Sequence, residues 1–271
     1  MGNPAAGHPY AVAGVPNLRD LGGWATDEGG RVRRSTVYRS TELFRLGSDG
    51  LKSFDQLGIK TVYDLRTEAE RSAAPDPGLS GVNDLPLDVL ADSATALPAN
   101  LARAFTDPAS VAEMSAALEG GRGIEMMTAT YRQIITLPSA LTSYRTLFTG
   151  LAGAQPAPSL FHCTTGKDRT GWAAAALLSI LGVQTADVYR DYLLTNDQLL
   201  PALHPVFAGF EAAGGDPSAL HSVLGVEKVY LDTAFDEMHS RFGDIEGYFT
   251  QGLGIDEATL RTLRANLIES P

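Results

Sequence analysis

The only cysteine of this chain lies in the segment that most constrains its fold. Ser159 to His162 predicts a short apolar strand that runs directly into Cys163, and Thr170 to Leu181 predicts an Ala/Leu-rich helix. The loop between them reads Cys163-Thr164-Thr165-Gly166-Lys167-Asp168-Arg169. Strand, loop and helix follow in the order that a phosphate site needs, because a helix N-terminus presents unpaired N–H groups and a positive dipole end to an anion.

The residues of this loop suit nucleophilic attack on phosphorus. The attacking species is a thiolate, and a helix N-terminus stabilises one. The spacing between Cys163 and Arg169 lets the loop curl around a tetrahedral anion, and Gly166 permits the bend. Arg169 can hold two phosphate oxygens as charge moves in the transition state. Thr170 is placed to donate a hydrogen bond to the departing sulfur, so we expect two in-line displacements through a phosphocysteine.

Two other interpretations of this segment remain. Cys163 could be a buried structural thiol, since free cysteine is among the most buried residue types. Its strand–loop–helix context weighs against that, because a motif in its expected context is far stronger than a bare spacing. The chain could also be a catalytically inactive module that binds a phosphorylated partner, but Cys163, Arg169 and Thr170 are all intact.

The segment His162-Cys163-X-X-Gly166-Lys167-Asp168-Arg169-Thr170-Gly171 resembles the signature of protein tyrosine and dual-specificity phosphatases. Lys167-Asp168 and further motifs resemble the atypical bacterial group typified by mycobacterial tyrosine phosphatase B, over most of residues 14–268. These motifs are Asn17-Leu18-Arg19-Asp20, Tyr38-Arg39-Ser40, Asp64-Leu65-Arg66 and Asp191-Tyr192-Leu193-Leu194-Thr195-Asn196. The resemblance implies activity on phosphotyrosine, often on phosphoserine and phosphothreonine, and on phosphoinositides, without a metal or other cofactor.

The loop itself is the predicted phosphate-binding site. Its members are Thr164, Thr165, Gly166, Lys167, Asp168 and Arg169. Lys167 could bind a second phosphate of the substrate, as in phosphoinositide phosphatases, or it could be a solvated loop lysine. A phosphoinositide phosphatase is therefore the alternative to a protein phosphatase.

The leaving oxygen needs a proton, so a carboxylic acid is expected beside it. The resemblance implies that Asp168 is this acid, because the Trp-Pro-Asp loop of larger tyrosine phosphatases does not occur in the chain. Asp88 and Asp92 are rival donors. Asp168 could instead orient Arg169 or the loop backbone.

Several residues are predicted to support the loop without contacting substrate. His162 would tune the thiolate, and the pair Arg19 and Asp20 would hold the loop from the first turn of the fold. Arg39 and Arg66 either converge on the loop or form surface salt bridges. The remaining histidines do not have the sequence spacing of metal ligands, so no metal site is predicted. These histidines are His8, His204, His221 and His239.

The charge balance excludes some partners. A formal net charge of −11 argues against a broad basic surface for nucleic acid or anionic membranes. No segment predicts a secretory signal or a stable membrane anchor, so we expect a cytoplasmic protein, with export by a signal-less route left open. The expected partners are a phosphorylated protein or phosphoinositide as substrate and phosphate ion as product.

Alternating strands and helices, followed by helices alone, predict an α/β fold of the cysteine-phosphatase type with a central sheet flanked by helices. Residues 1–13 are predicted to be a flexible leader and 14–271 a single phosphatase domain. Strands are expected at 37–40, 59–66, 83–89 and 159–162. The stretch that follows residue 89, up to Pro156, is expected to be mainly helix. The C-terminal third is expected to be all helix, and the resemblance implies that Leu199 to Leu224 forms a lid.

Six helices are predicted in that C-terminal third from their apolar periodicity. They are Asp187 to Thr195, Leu199 to Ala213, Ser218 to Leu224, Glu227 to Phe242, Asp244 to Gly252 and Asp256 to Ile268.

Overall fold

A computed structural model describes most of the chain. The described ranges are 5–93, 108–153 and 157–269. Residues 1–4 of the predicted leader lie outside them, as do 94–107 and 154–156 of the predicted helical stretch.

A five-stranded mixed sheet, in the order β1-β3-β6-β4-β5, forms the centre of the fold. Its strands are β1 (Arg19–Asp20), β3 (Val37–Ser40), β4 (Thr61–Asp64), β5 (Asn83–Pro86) and β6 (Ser159–His162). β1 is antiparallel to β3, and the other neighbours are parallel. A separate antiparallel pair joins β2 (Arg31–Val32) to β7 (Ile268–Glu269). The structure thus contains all of the predicted strands, some with shorter bounds.

The register of the parallel strands places three chain segments at one edge of the sheet. Ser40 at the end of β3 and Asp64 at the end of β4 both pair with His162, the last residue of β6. The residues that follow these strands must therefore meet around Cys163. This edge is where a doubly flanked parallel sheet binds its ligands.

Helices flank the sheet and make up most of the C-terminal third. They are α1 (Ser48–Asp55), α2 (Glu68–Ala73), α3 (Pro108–Leu118), α4 (Arg122–Thr136), α5 (Pro138–Leu151), α6 (Arg169–Ile180), α7 (Thr185–Ala212), α8 (Pro217–Leu224), α9 (Lys228–Phe242), α10 (Ile245–Gly247) and α11 (Glu257–Leu267), with a 3₁₀ turn (Glu119–Gly121) before α4 and a π-helical turn (Tyr248–Gly252) after α10. Within the described part of the chain, no helix has the length and apolar character needed to cross a membrane.

Alternate residues of the strands supply two hydrophobic clusters, because successive side chains of a strand point to opposite faces. Tyr63 and Phe161 belong to the larger cluster, while Val62 and Leu160 belong to the smaller one. In α6, which packs into the larger cluster, Trp172 is completely buried, and its indole N–H donates to the Tyr248 hydroxyl at 3.0 Å. The predicted α/β fold with a sheet flanked by helices is confirmed.

The C-terminal helices differ from the prediction in two places. Helix α7 is continuous where two helices were predicted, and it passes through Pro201 and Pro205. Each proline removes one backbone donor but leaves the apolar face of the helix intact, so packing keeps the helix whole. Ile268 leaves α11 and enters β7, so the prediction of helix alone in this third was wrong. A strand this short has no periodicity that a sequence pattern could reveal.

Residues 5–13, which the sequence places in a leader, contact the folded body. The backbone N–H of Tyr10 donates to the Leu18 carbonyl at 2.8 Å, and the Tyr10 ring meets the Tyr38 ring edge-on at 5.7 Å between centroids. Val12 is buried in the smaller cluster. These contacts fix an irregular segment that shows no periodicity in the sequence. The division into one leader and one domain stays a prediction.

Candidate active site

The Cys163 loop links the central strand β6 to the N-terminus of α6. Cys163 is 1% exposed, and α6 begins at Arg169. Gly166 adopts φ +64°, and a Cβ atom at this position would lie 2.2 Å from the Ser40 carbonyl oxygen. Only glycine combines this backbone conformation with such close approach to β3. The bend predicted at Gly166 is therefore present, and it presses the loop against the neighbouring strand.

Arg169 is held by a carboxylate that the sequence did not identify as part of the site. Its two terminal nitrogens donate to the two oxygens of Glu70 at 2.6 and 2.8 Å. Burial would raise the pKa of Glu70, but the hydrogen bonds and charge of Arg169 hold it well below its usual value. The pKa of Arg169 is raised, since the nearby Cys163 and Glu70 outweigh the effect of burial.

Glu70 also fixes the loop and its own helix. Its Oε1 accepts the Thr164 hydroxyl at 2.5 Å, so one carboxylate contacts both ends of the loop. Its Oε2 accepts the backbone N–H of Thr67, and the Thr67 side chain accepts the N–H of Glu70, which is a capping box. The Thr-x-x-Glu pattern is typical of a helix start. It gave no signal for the contact with Arg169.

Asp168 lies beside α4, and its Oδ1 accepts two hydrogen bonds. The donors are the Lys167 ammonium at 2.8 Å and the Tyr131 hydroxyl at 3.0 Å. The Tyr131 hydroxyl is also 2.7 Å from that of Tyr192 on α7. Burial, with the charge of Asp168, raises the pKa of Tyr131 well above its usual value, so this hydroxyl remains a donor. The two tyrosines were not singled out from the sequence.

Lys167 is buried, not solvated. Its side chain is 3% exposed and its ammonium is directed into the site by Asp168. The rival proton donors bind backbone groups: Asp88 accepts the N–H groups of Leu90 and of Glu68 at the start of α2. Asp92 accepts the N–H of Ser139 at the start of α5.

Other predicted residues occupy the expected region with different contacts. The Thr170 hydroxyl is buried and has no hydrogen-bond partner in the described ranges, so the predicted bond to Cys163 is not formed in this conformation. Thr165 lies in the loop, half-buried. Asp20 accepts the backbone N–H groups of Gly22 and Ser35 and therefore stabilises the β1–β3 connection, not the loop.

His162 is enclosed by a buried charge cluster behind Cys163. Its Nε2 lies 3.1 Å from Asp76 and its Nδ1 lies 3.9 Å from Asp64. Arg66 is within 2.8 Å of both carboxylates and also pairs with Glu42 at 3.0 Å. Asp64, Asp76 and His162 are close enough to share an ion, but Arg66 already supplies positive charge to both acids. Arg66 is thus buried beside the loop, not on the surface.

Arg19 and Arg39 form a second buried cluster with Asp191 of α7. Arg19 Nε donates to Asp191 at 2.9 Å and Arg39 donates to its other oxygen at 2.7 Å. Burial, reinforced by Arg19, lowers the pKa of Arg39 to about 10. Both arginines are completely buried, so neither belongs to a surface salt bridge.

Comparison with known proteins identifies the family. A model of the tyrosine phosphatase family matches residues 10–269. This chain belongs to the tyrosine phosphatase family. The resemblance that the sequence motifs carry is thereby confirmed. As a cysteine-dependent phosphatase with one cysteine, this family member has a single candidate thiol nucleophile, Cys163.

Relatives within the tyrosine phosphatase family align along most of the chain. A protein of Cupriavidus necator is 30% identical over 94% of this chain and 87% of its own length. The triple specificity protein phosphatase PtpB of Mycobacterium tuberculosis is 30% identical over 95% of this chain and 98% of its own length. A tyrosine-protein phosphatase of Nostoc commune is 25% identical over 87% of this chain and 75% of its own.

Replacing Glu70 tests whether it positions Arg169 for the tyrosine phosphatase reaction. Glu70→Gln keeps the capping box but removes the charge that orients the guanidinium, so kcat/KM for an aryl phosphate should fall about 10- to 100-fold. Steady-state kinetics measure this. The matched control is Glu68→Gln, two residues away on the same helix and exposed, which should retain wild-type kinetics. Equal values for both variants would contradict a role for Glu70.

Proposed function

We propose that this chain hydrolyses phosphotyrosine in proteins, and phosphoserine or phosphothreonine as well, through a phosphocysteine on Cys163. The observation that carries the proposal is the geometry around Arg169. Glu70 and the Leu65 carbonyl engage its terminal nitrogens on one side. These contacts use only one of the two N–H groups of Nη2. The other lies beside the N–H of Nε, and such a side-by-side pair can bind two phosphate oxygens.

The reaction follows from the order of strand, loop and helix. The Cys163 thiolate attacks phosphorus while the backbone N–H groups of the loop and Arg169 hold the other oxygens. The bond from phosphorus to the ester oxygen breaks, and the leaving oxygen takes a proton from Asp168. Water then attacks the phosphocysteine and gives a proton back to Asp168. Phosphate leaves, and the thiolate is restored.

The nucleophile is tested by Cys163→Ser. This variant should lose turnover of an aryl phosphate, because a serine hydroxyl in the same loop is a much weaker nucleophile than a thiolate. Rapid acid quenching of wild type with substrate should trap a phosphoryl group on the peptide that contains Cys163. Circular dichroism of the variant should match wild type. Retained turnover, or a phosphoryl group on another residue, would exclude the mechanism.

Asp168 is the proposed proton donor because its second oxygen, Oδ2, is engaged neither by Lys167 nor by Tyr131. Both donors bind Oδ1, which fixes the carboxyl plane and leaves Oδ2 for the leaving group. Asp88, by contrast, uses both oxygens to bind backbone N–H groups. A carboxyl held in that way serves the backbone of its own turn.

Leaving-group dependence distinguishes these two carboxyls. Asp168→Asn should slow hydrolysis of phenyl phosphate by about 10²- to 10⁴-fold, the usual contribution of a general acid, and affect p-nitrophenyl phosphate much less. Asp88→Asn is the control and should keep both rates. The reverse pattern would assign the proton to Asp88.

Phosphoinositide hydrolysis is the second candidate, and Lys167 is the observation that favours it. A buried ammonium inside a phosphate loop costs solvation unless an anion balances it, and Asp168 provides that balance here. A substrate with a second phosphate could take over this role. A singly phosphorylated peptide has no group for it.

Lys167→Ala separates the two candidates. The variant should lose about 10-fold more kcat/KM on a soluble phosphoinositide with adjacent phosphates than on a phosphotyrosine peptide, since a charged hydrogen bond is worth roughly 1.5–3 kcal/mol. Side-by-side kinetics with both substrates give the ratio. Equal losses would remove the argument for phosphoinositides and leave the protein substrate.

A further inference from the structure

A buried ring of hydrogen bonds surrounds the carbonyl group of Gly166. This carbonyl accepts from Arg39 Nη2 at 2.9 Å and from Asn17 Nδ2 at 3.0 Å. Both donors are buried, and Asn17 is itself held in a left-handed backbone conformation at φ +59°. The loop carbonyl is therefore fixed from two sides by residues that are distant in sequence.

The two donors are oriented by a single carboxylate. Asp191 Oδ2 accepts from Arg39 Nη1 at 2.7 Å, and Asp191 Oδ1 accepts from Arg19 Nε at 2.9 Å. Arg19 in turn donates from Nη1 to the Asn17 side-chain oxygen at 2.5 Å, which fixes the amide so that its nitrogen faces Gly166. The Asp191 carboxylate thus orients both arms of the ring.

The peptide that follows Gly166 is the part of the loop that most needs such control. Glycine at φ +64° has access to backbone conformations that other residues do not, so its peptide can rotate unless it is held. In a trans peptide the carbonyl and the next N–H point in opposite directions. With the Gly166 carbonyl held on the outer side by Arg39 and Asn17, the N–H of Lys167 is directed to the inner side, where phosphate binds.

We propose that Asp191 is a positioning residue that holds the Gly166–Lys167 peptide in its phosphate-binding orientation through Arg39 and through Arg19 with Asn17. The proposal rests on the phosphatase function proposed above. Asp191 belongs to α7, so the geometry of the phosphate loop depends on how this helix is docked. The same helix continues into Leu199 and the predicted lid.

Charge explains why a carboxylate is needed. The cluster contains two guanidinium groups and one acid, all completely or almost completely buried. The two arginines hold the pKa of Asp191 below its usual value, against the opposing effect of burial, so this group is anionic at neutral pH. Without the anion, Arg19 and Arg39 would repel each other and lose the partner that aims them.

The test is the inhibition constant of inorganic phosphate against aryl phosphate turnover. Asp191→Asn should raise this constant about 10-fold or more and lower kcat, because two arms of charged hydrogen bonds are weakened. If Asp191 had only a structural role, the substitution would reduce the amount of folded enzyme. The phosphate inhibition constant of the enzyme that remains folded would not change. The matched control is Asp232→Asn, which removes an acid on α9 that binds Lys228 and Tyr189 and should leave the constant unchanged. An unchanged constant in Asp191→Asn would overturn the proposal.

A second variant keeps the proposal testable if Asp191→Asn does not fold. Asn17→Ala breaks one arm only and should raise the phosphate constant by a smaller factor, so no rise in a folded Asn17→Ala would also overturn it. Where both variants fold, the double variant should lose little more than Asp191→Asn alone, because both act on one carbonyl. Fully additive losses would contradict a shared ring.

Wild-type measurements separate this proposal from the proposed function. Calorimetric titration of the wild-type chain with phosphate and its turnover of an aryl phosphate are recorded first. If the wild type neither binds phosphate nor turns over the ester, the proposed function itself is wrong. If the wild type does both and Asp191→Asn matches it, only the role of Asp191 is wrong.

Discussion

Buried positive charge, balanced by carboxylates from other parts of the chain, is the constraint on which the site depends. The buried arginines around the loop are Arg19, Arg39, Arg66 and Arg169. An unpaired buried charge is costly, so each needs an acid within hydrogen-bonding distance. Asp191, Asp64 and Glu70 meet this need, and each belongs to a different element. In this chain, with a net charge of −11, the positive charges beside the loop are thus buried and paired with acids.

The parallel strands bring these groups together. Because β3, β4 and β6 end in register, the residues at and after their last positions meet around one loop. Arg39 comes from β3, Arg66 follows β4, and Cys163 follows β6. The same arrangement makes the loop intolerant of a side chain at Gly166, which lies directly against the Ser40 carbonyl. The sheet edge therefore determines both where the cations are and how closely the loop can approach them.

The local part of this site could be predicted from the sequence, and the long-range part could not. Strand β6, the loop and α6 are contiguous, so apolar pattern and turn residues are enough to place them. Glu70 is separated from Arg169 by 99 positions, and the sequence shows only its role as a helix cap. Asp191 is separated from Arg39 by 152 positions. In the sequence, Asp191 is identified only as the first residue of a family motif, and no contact is predicted for it. Contacts of this kind depend on the packing of α2 and α7, which no periodicity encodes.

Glu70, which contacts the loop, and Asp168, which belongs to it, have different surroundings and therefore different tasks. Glu70 binds Arg169 with both oxygens, and the resulting low pKa keeps it ionised at neutral pH, so it has no proton to give a leaving group. Its ion pair with Arg169 is lost only when the pH falls through that depressed value. Asp168 receives its hydrogen bonds on one oxygen alone, one of them from a tyrosine whose own proton is retained by burial. These contacts support the proposal that Asp168 gives the proton, because both oxygens of Glu70 are engaged by Arg169.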